Sequence, residues 1–209
     1  TSGSFNASFI DDKITNSTFW EVKAQHRQTL PNKFKFNGSL DLQKQGFNRN
    51  FSNSTSARAQ RNTDSHANIT KTWEDSSLDI LTRYRESQQI GSDQTFAQLP
   101  QITYKTQRQK IGDTNFFFSQ DSSFASFLTD LDTSPDIDDK FSVQRFDFRP
   151  QFSYSTRIAP WLTFTPSLGL RETIYSKGLD ATDNNKRLDF FTRESFNVGV
   201  SLDGPRFEK

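Results

Sequence analysis

In the run from Arg145 to Ser155, Phe146, Phe148, Pro150, Phe152 and Tyr154 occupy one parity, and Arg145, Asp147, Arg149, Gln151, Ser153 and Ser155 occupy the other. Successive side chains of a β-strand point to opposite faces, so this segment has one greasy face and one wet, charged face. The pattern returns in Leu162, Phe164, Pro166, Leu168 and Leu170 against Thr163, Thr165, Ser167, Gly169 and Arg171. It returns again in Phe196, Val198, Val200 and Leu202 against Ser195, Asn197, Gly199 and Ser201. Such strands bury one face in something apolar and wet the other. A transmembrane β-barrel does this with a greasy outside and a polar inside. The expected fold is therefore all-β, an antiparallel up-and-down transmembrane barrel. Phe146, Phe148, Phe152, Tyr154, Leu162, Phe164, Leu168, Leu170, Phe196, Val198 and Val200 are assigned to lipid. Arg145, Asp147, Arg149, Arg171 and Arg193 are assigned to a hydrated lumen.

Composition supports this reading. Only 32% of the 209 residues are hydrophobic and mean hydropathy is −0.80, yet there are 22 Phe. A soluble domain of this length usually has more aliphatic residues to fill its core, and disordered chains are poor in aromatics. A barrel needs grease at only every second position. No window approaches the roughly 20 apolar residues of a membrane-crossing helix. Net charge is +1, which gives no sign of nucleic-acid binding. Cysteine is absent, so disulfides and thiolate metal sites are excluded within this stretch. The chain opens Thr1-Ser2-Gly3-Ser4 with no signal-like apolar region, and reads as an internal fragment or a processed product.

Period-two patterning, broken at Gly, Pro, Asn, Asp and Ser clusters, predicts about ten strands. They fall at 2–10, 17–29, 33–44, 54–73, 77–87, 98–109, 115–128, 141–156, 161–175 and 188–202. In the fourth, a break near Asn62 to Ser65 competes with one long strand, and the shared parity of Ala57, Ala59, Ala67, Ile69 and Trp73 favours continuity. Leu30 to Asn32, Glu74 to Ser76, Lys110 to Thr114 and Arg157 to Pro160 are short links. Asp11 to Asn16, Gln45 to Asn53, Gln88 to Ala97, Thr129 to Lys140 and Ser176 to Arg187 are long ones. Alternating short and long links suit a barrel with short periplasmic turns and longer outer loops, and a Greek-key sandwich gives no reason for them.

Three segments add a family resemblance. Phe96-Ala97-Gln98-Leu99-Pro100-Gln101-Ile102-Thr103-Tyr104 resembles the "RLPQ-strand" segment of the lipopolysaccharide-assembly LptD (OstA) family. Arg145 to Ser153 is similar to that family's R-x-D-x-x-P strand, and Leu162 to Tyr175 to its "tP-x-x-g-x-R-x-T-x-Y" strand. Order and spacing fit, His26-Arg27-Gln28 is compatible, and the likeness runs over roughly residues 20 to 209. It implies lipopolysaccharide transport and assembly in the bacterial outer membrane, the cargo passing through a hydrated barrel into the outer leaflet. It also implies the lipoprotein LptE in the lumen and the periplasmic protein LptA as partners. Residues 1–209 would be one segment of the barrel domain, with the family's N-terminal periplasmic jelly-roll, its conserved cysteines and its remaining strands lying outside it.

Pro100, Pro150 and Pro166 lie inside strand-like segments, where proline removes a ladder donor. Edge strands or loop boundaries are the plain explanation. The resemblance implies weakened pairing, with prolines next to the first and last strands aiding a lateral opening; Pro150 and Pro166 sit in mid-fragment strands, where a bulge or kink is expected. Asp130, Asp132, Asp136, Asp138 and Asp139 lack calcium-loop spacing and read as a solvated loop. The arginines Arg145, Arg149, Arg171 and Arg193, with Asp147 and Asp189, read either as ordinary lumen lining or as contacts to the sugar-phosphate of a glycolipid. Trp20, Trp73, Trp161, Tyr84, Tyr154 and Tyr175 lie near segment ends, where aromatic girdles belong. Trp73 and Trp161 flank short turns and so mark the periplasmic interface. His26 and His66 are isolated and too few for a metal cluster, and no nucleophile motif accompanies them. Neither a catalytic set nor a cofactor is expected. A passive diffusion porin or a substrate-specific channel, its about ten strands closing alone, and a soluble carbohydrate-binding β-sandwich remain as alternatives.

Overall fold

The computed structural model describes residues 1–14, 16–89, 94–130, 140–179 and 187–205. Ten long strands carry the fold: β1 (Ser2–Asp12), β2 (Ser17–Thr29), β3 (Lys35–Gln43), β4 (Asn62–Thr72), β5 (Ser76–Ser87), β6 (Thr95–Lys110), β7 (Phe116–Asp130), β8 (Lys140–Tyr154), β10 (Leu162–Tyr175) and β13 (Phe191–Asp203). The short β9 (Thr156–Ala159) pairs with β10, making one sheet of 11 strands. The stubs β11 (Gly178–Leu179) and β12 (Arg187–Leu188) pair separately. Each long strand neighbours the next along the chain, so the order is up-and-down, that of a partial barrel. Among the described residues β1 and β13 each have one neighbour in this sheet.

Two compact units make up the described chain. The first comprises Thr1–Lys71, Asp79–Gln101 and Ala125–Val143; the second comprises Thr72–Leu78, Ile102–Phe124 and Gln144–Lys209. In the first unit, register aligns apolar residues across neighbouring strands. Phe9 faces Trp20, the row Phe5–Ala24–Leu40 crosses three strands, and Gln28–Phe36–Ile69 crosses another three. Only the lower half of the expected fourth strand is extended. Residues Phe47–Phe51 and Thr55–Arg58 form short helices, α1 and α2. Ser54 accepts a hydrogen bond from the Ala57 amide, so a serine cap overrides the parity that Ala57 and Ala59 share with β4. Phe51 packs edge-on against Phe19 at 5.0 Å, which seats α1 on the start of β2.

In the second unit the greasy rows are continuous. Phe152–Leu168–Val198 and Phe146–Ile174–Thr192 cross β8, β10 and β13, and Phe164 faces Leu202. Phe118 and Phe116 of β7 meet Phe152 and Tyr154 at 5.2 and 4.8 Å. Glu172 also lies on this face, directly opposite Glu194, where the sequence showed no boundary. Ten residue steps separate Leu162 from Glu172. At about 3.4 Å per step and a tilt of about 40°, that is about 26 Å along a membrane normal, the height of a barrel's apolar band.

There is no core. The buried apolar residues among those described are Phe47, Ala97 and Ala125, whereas Phe5, Phe9, Phe196 and Val198 are each more than 70% exposed. The sandwich alternative needs a second sheet over the Phe146/Phe152 face, and among the described residues the other sheet has two strands of two residues. Link lengths alternate from the second link onward: 30–34, 73–75 and 111–115 are short, while 44–61, 88–94 and 176–190 are long. The first link, 13–16, is no longer than the second, because β1 runs on to Asp12. The acidic stretch holding Asp132, Asp136, Asp138 and Asp139 lies outside the described residues.

Candidate functional site

In the second unit the odd-numbered residues of β8, β10 and β13 share one face. Three-strand rows read Arg145–Tyr175–Phe191, Asp147–Thr173–Arg193, Gln151–Gly169–Asn197 and Ser153–Ser167–Gly199. All five residues assigned from the sequence to the lumen thus fall on a single face, with the assigned greasy residues on the other. The Asn197 amide lies over Gly169, so a Cβ there would push that side chain aside.

Asp147 is the centre of this face. Its side chain is 3% exposed, while those of Arg149 and Arg171 are 48% and 45% exposed. Arg149 donates from Nε to Oδ1 at 2.9 Å and from a terminal nitrogen to Oδ2 at 3.1 Å. Arg171 repeats the fork, at 3.2 Å to Oδ1 and 2.6 Å to Oδ2. One carboxylate therefore accepts two bidentate guanidinium forks, from its own strand and from the next. The outer edges of both guanidiniums stay open to solvent.

The prolines explain why this cluster sits where it does. Between β8 and β10 the register is constant from Tyr175↔Arg145 to Ser167↔Ser153, but the pairs Leu170↔Pro150 and Arg171↔Arg149 are missing. Pairing lapses again opposite Pro166, between Ser167↔Ser153 and Phe164↔Thr156. On its other side Pro166 pairs with Val200 without interruption. An amide missing from one residue removes two adjacent antiparallel pairs, because that N–H serves both. Both prolines therefore withdraw donors from the one seam between β8 and β10. Neither makes the expected bulge; the register shift in this region lies at Leu162/Thr163. At the first gap the Asp147–Arg171 fork bridges the two strands by side chains instead. The Leu99–Pro100 bond is cis.

The first unit holds a second cluster of this type. Arg83 and Arg85 of β5 approach Asp64 of β4 at 3.3 and 3.0 Å, and His66 Nδ1 stands 3.6 Å from the same carboxylate. His66 is thus not isolated. His26 contacts Gln28 at 3.2 Å and lies against the Phe36 ring, on the face that carries Ala24. The sequence held the signal for the Asp64 cluster, since Asp64 and His66 share a parity and Arg83 and Arg85 share another. Elsewhere in the second unit Lys105 pairs with Asp121 at 3.2 Å, and Arg108 stacks 3.9 Å over Phe117 while donating to Ser153. Each Asp–Arg cluster has one more arginine than aspartate, which suits anionic, hydroxyl-rich material, and no group of three metal-ligating side chains occurs among the described residues.

A family model described as LptD, LPS transport system D, matches residues 17–202. The chain belongs to the LptD family. A comparison with curated proteins at large returns no match. LptD-family membership fixes the role at its coarse level, lipopolysaccharide transport, with lipopolysaccharide as the substrate. It also agrees with the strand-rich fold, in which no helix among the described residues is long and apolar enough to cross a membrane. In this LptD-family sheet the matched region takes in the Asp64 and Asp147 clusters and both prolines of the β8–β10 seam.

Proposed function

We propose that this chain is one segment of an outer-membrane barrel domain that delivers lipopolysaccharide to the outer leaflet through a hydrated lumen. The observation that carries this reading is the division of the sheet into an exposed greasy face without a core and an opposite face studded with half-exposed arginines. An amphipathic glycolipid needs a polar path for its phosphates and sugars while its acyl chains stay in lipid. On this reading Arg145, Arg149, Arg171 and Arg193 meet the sugar-phosphate in transit, because guanidinium matches phosphate oxygens in a planar fork. Phe146, Phe148, Phe152, Tyr154, Leu162, Phe164, Leu168, Leu170, Phe196, Val198 and Val200 meet the bilayer. Trp73 and Trp161, at short links and partly exposed, anchor the periplasmic interface. LptE inside the lumen and LptA on the periplasmic side are the partners that family membership suggests, and a periplasmic jelly-roll and further strands complete the parent protein.

Depletion of the full-length protein in living cells tests this. Surface lipopolysaccharide is expected to disappear while other outer-membrane barrels remain. An unchanged surface would sink the assembly reading.

A further inference from the structure

Strand β10 is held unequally along its two edges. Thirteen consecutive residues, Thr163 to Tyr175, pair with β13, Pro166 among them. Against β8 the ladder is broken twice, at 170–171 and again at 165–166. The pairing pattern assigns each break to one absent donor. Pro150 has no N–H for the Leu170 carbonyl, and Pro166 has none for the Tyr154 carbonyl. The even-numbered amides of β10 point toward β8, as the Ser176 amide beyond its end does toward the Gln144 carbonyl at 2.9 Å. The odd-numbered amides point toward β13. One strand thus carries a whole row of bonds on one edge and a gapped row on the other.

What spans the gaps is side chain, and it is open to water. The Asp147–Arg171 fork crosses the first, with the Arg171 side chain 45% exposed. The hydroxyls of Ser155 and Thr165 meet across the second at 3.3 Å. Over the first gap the polar face is hollowed into a pocket of about 510 Å³, with Arg149, Pro150, Gly169, Leu170 and Arg171 in its lining. Pro150 and Leu170 have side chains of the greasy parity, so it is their backbone that lines the polar side. A pocket of this size has room for water. A bare carbonyl is not tolerated in hydrocarbon, but here water from the polar face can take the place of the missing amide. Parting the strands at this seam therefore exchanges a few protein hydrogen bonds for hydrogen bonds to water.

We infer that the β8–β10 seam is a flexible joint in the wall, at which β10 and β13 move away from β8 as one ribbon and return. The Asp147 carboxylate, shared by Arg149 of β8 and Arg171 of β10, draws the joint closed. Resting on the transport reading above, the joint lets the lumen widen while a bulky polar headgroup passes.

Hydrogen exchange read amide by amide along β10, in the full-length protein in lipid vesicles, tests the joint. Leu168 and Leu170, which bond across the seam, should exchange about 25-fold faster than Gly169 and Arg171, which bond to β13. That is about fivefold for each of the two missing bonds. Pro150→Val/Pro166→Val returns both donors and should erase the difference while leaving Gly169 and Arg171 unchanged. In cells the same double variant, present in the outer membrane at the normal amount, should slow the arrival of new lipopolysaccharide at the surface at least about twofold, because passage then waits on a stiffer wall. Equal exchange of odd and even amides in the unsubstituted protein overturns the joint. Alternating exchange that the double variant erases, with arrival unchanged, overturns its part in passage. The transport reading falls separately, by an unchanged surface on depletion, and the exchange pattern decides the joint in either case.

Discussion

Val198→Arg is expected to destabilise the full-length protein in lipid vesicles by about 2–4 kcal/mol, the cost of a cation near the middle of a bilayer on the outer face of a barrel. Val198 faces Leu168, which faces Phe152, and this row lies four residue steps from the Glu172–Glu194 pair that interrupts the greasy face. At about 10 Å from that pair, with apolar residues on either side, the arginine is too deep to reach water without distorting strand or lipid. Ser201→Arg, on the same strand but the opposite parity, is the control. Its neighbours are Thr165 across the ladder and Asp203 beside it, so its cost should stay within about 0.5 kcal/mol. Urea unfolding followed by tryptophan fluorescence reads both. Equal costs for the two variants would mean that parity does not separate lipid from water.

Asp147→Asn should loosen one seam more than it loosens the barrel. Arg149 and Arg171 stand directly opposite each other where the ladder lapses, and like charges so placed repel. The Asp147 carboxylate neutralises both and ties β8 to β10 where Pro150 supplies no amide. Asparagine keeps the shape and loses both charge-assisted forks. Because the two guanidiniums are nearly half exposed they rehydrate, so the full cost of a broken buried ion pair is not reached. About 2 kcal/mol remains, a roughly thirtyfold gain in local opening. Amide exchange should quicken by that factor at Leu168 and Leu170 and stay unchanged in the β1–β2 hairpin. Pro150→Val should act in the opposite sense. It returns one donor to the seam, adds about 1 kcal/mol, and slows exchange at the same amides about fivefold. A uniform speed-up across all strands, or none at Leu168 and Leu170, would contradict the bridging role.

Particular residues show how far the sequence carried this account. In β8, β10 and β13, apolar and polar residues alternate almost without fault, and the rows seen across those strands follow from parity once the register is known. The division of these strands into a polar and an apolar face was legible for that reason. The Asp147 cluster was only half legible. Parity placed Asp147, Arg149 and Arg171 on one face, but a single sequence does not specify register, which is what sets Arg171 opposite Arg149. Residues 54–61 were misread because Ala57 and Ala59 mimic strand parity, while the cap from Ser54 is a local bond that periodicity does not register. Asp64 went unpaired in the sequence reading because its partners Arg83 and Arg85 sit on β5, nineteen to twenty-one residues on. The Glu172–Glu194 pair was hidden too, since a lone glutamate in a greasy parity looks like noise until the next strand supplies its twin.

The account rests most on the claim that the odd face of β8 and β13 meets water and the even face meets lipid. This chain contains no cysteine, so single cysteines at 151, 153, 195 and 197, and at 152, 168, 196 and 198, can be read in the full-length protein in intact outer membranes, with the unsubstituted protein as the blank. A membrane-impermeant maleimide is expected to label the first four and to spare the second four. Labelling that ignores parity, or that favours Phe152, Leu168, Phe196 and Val198, would contradict the account.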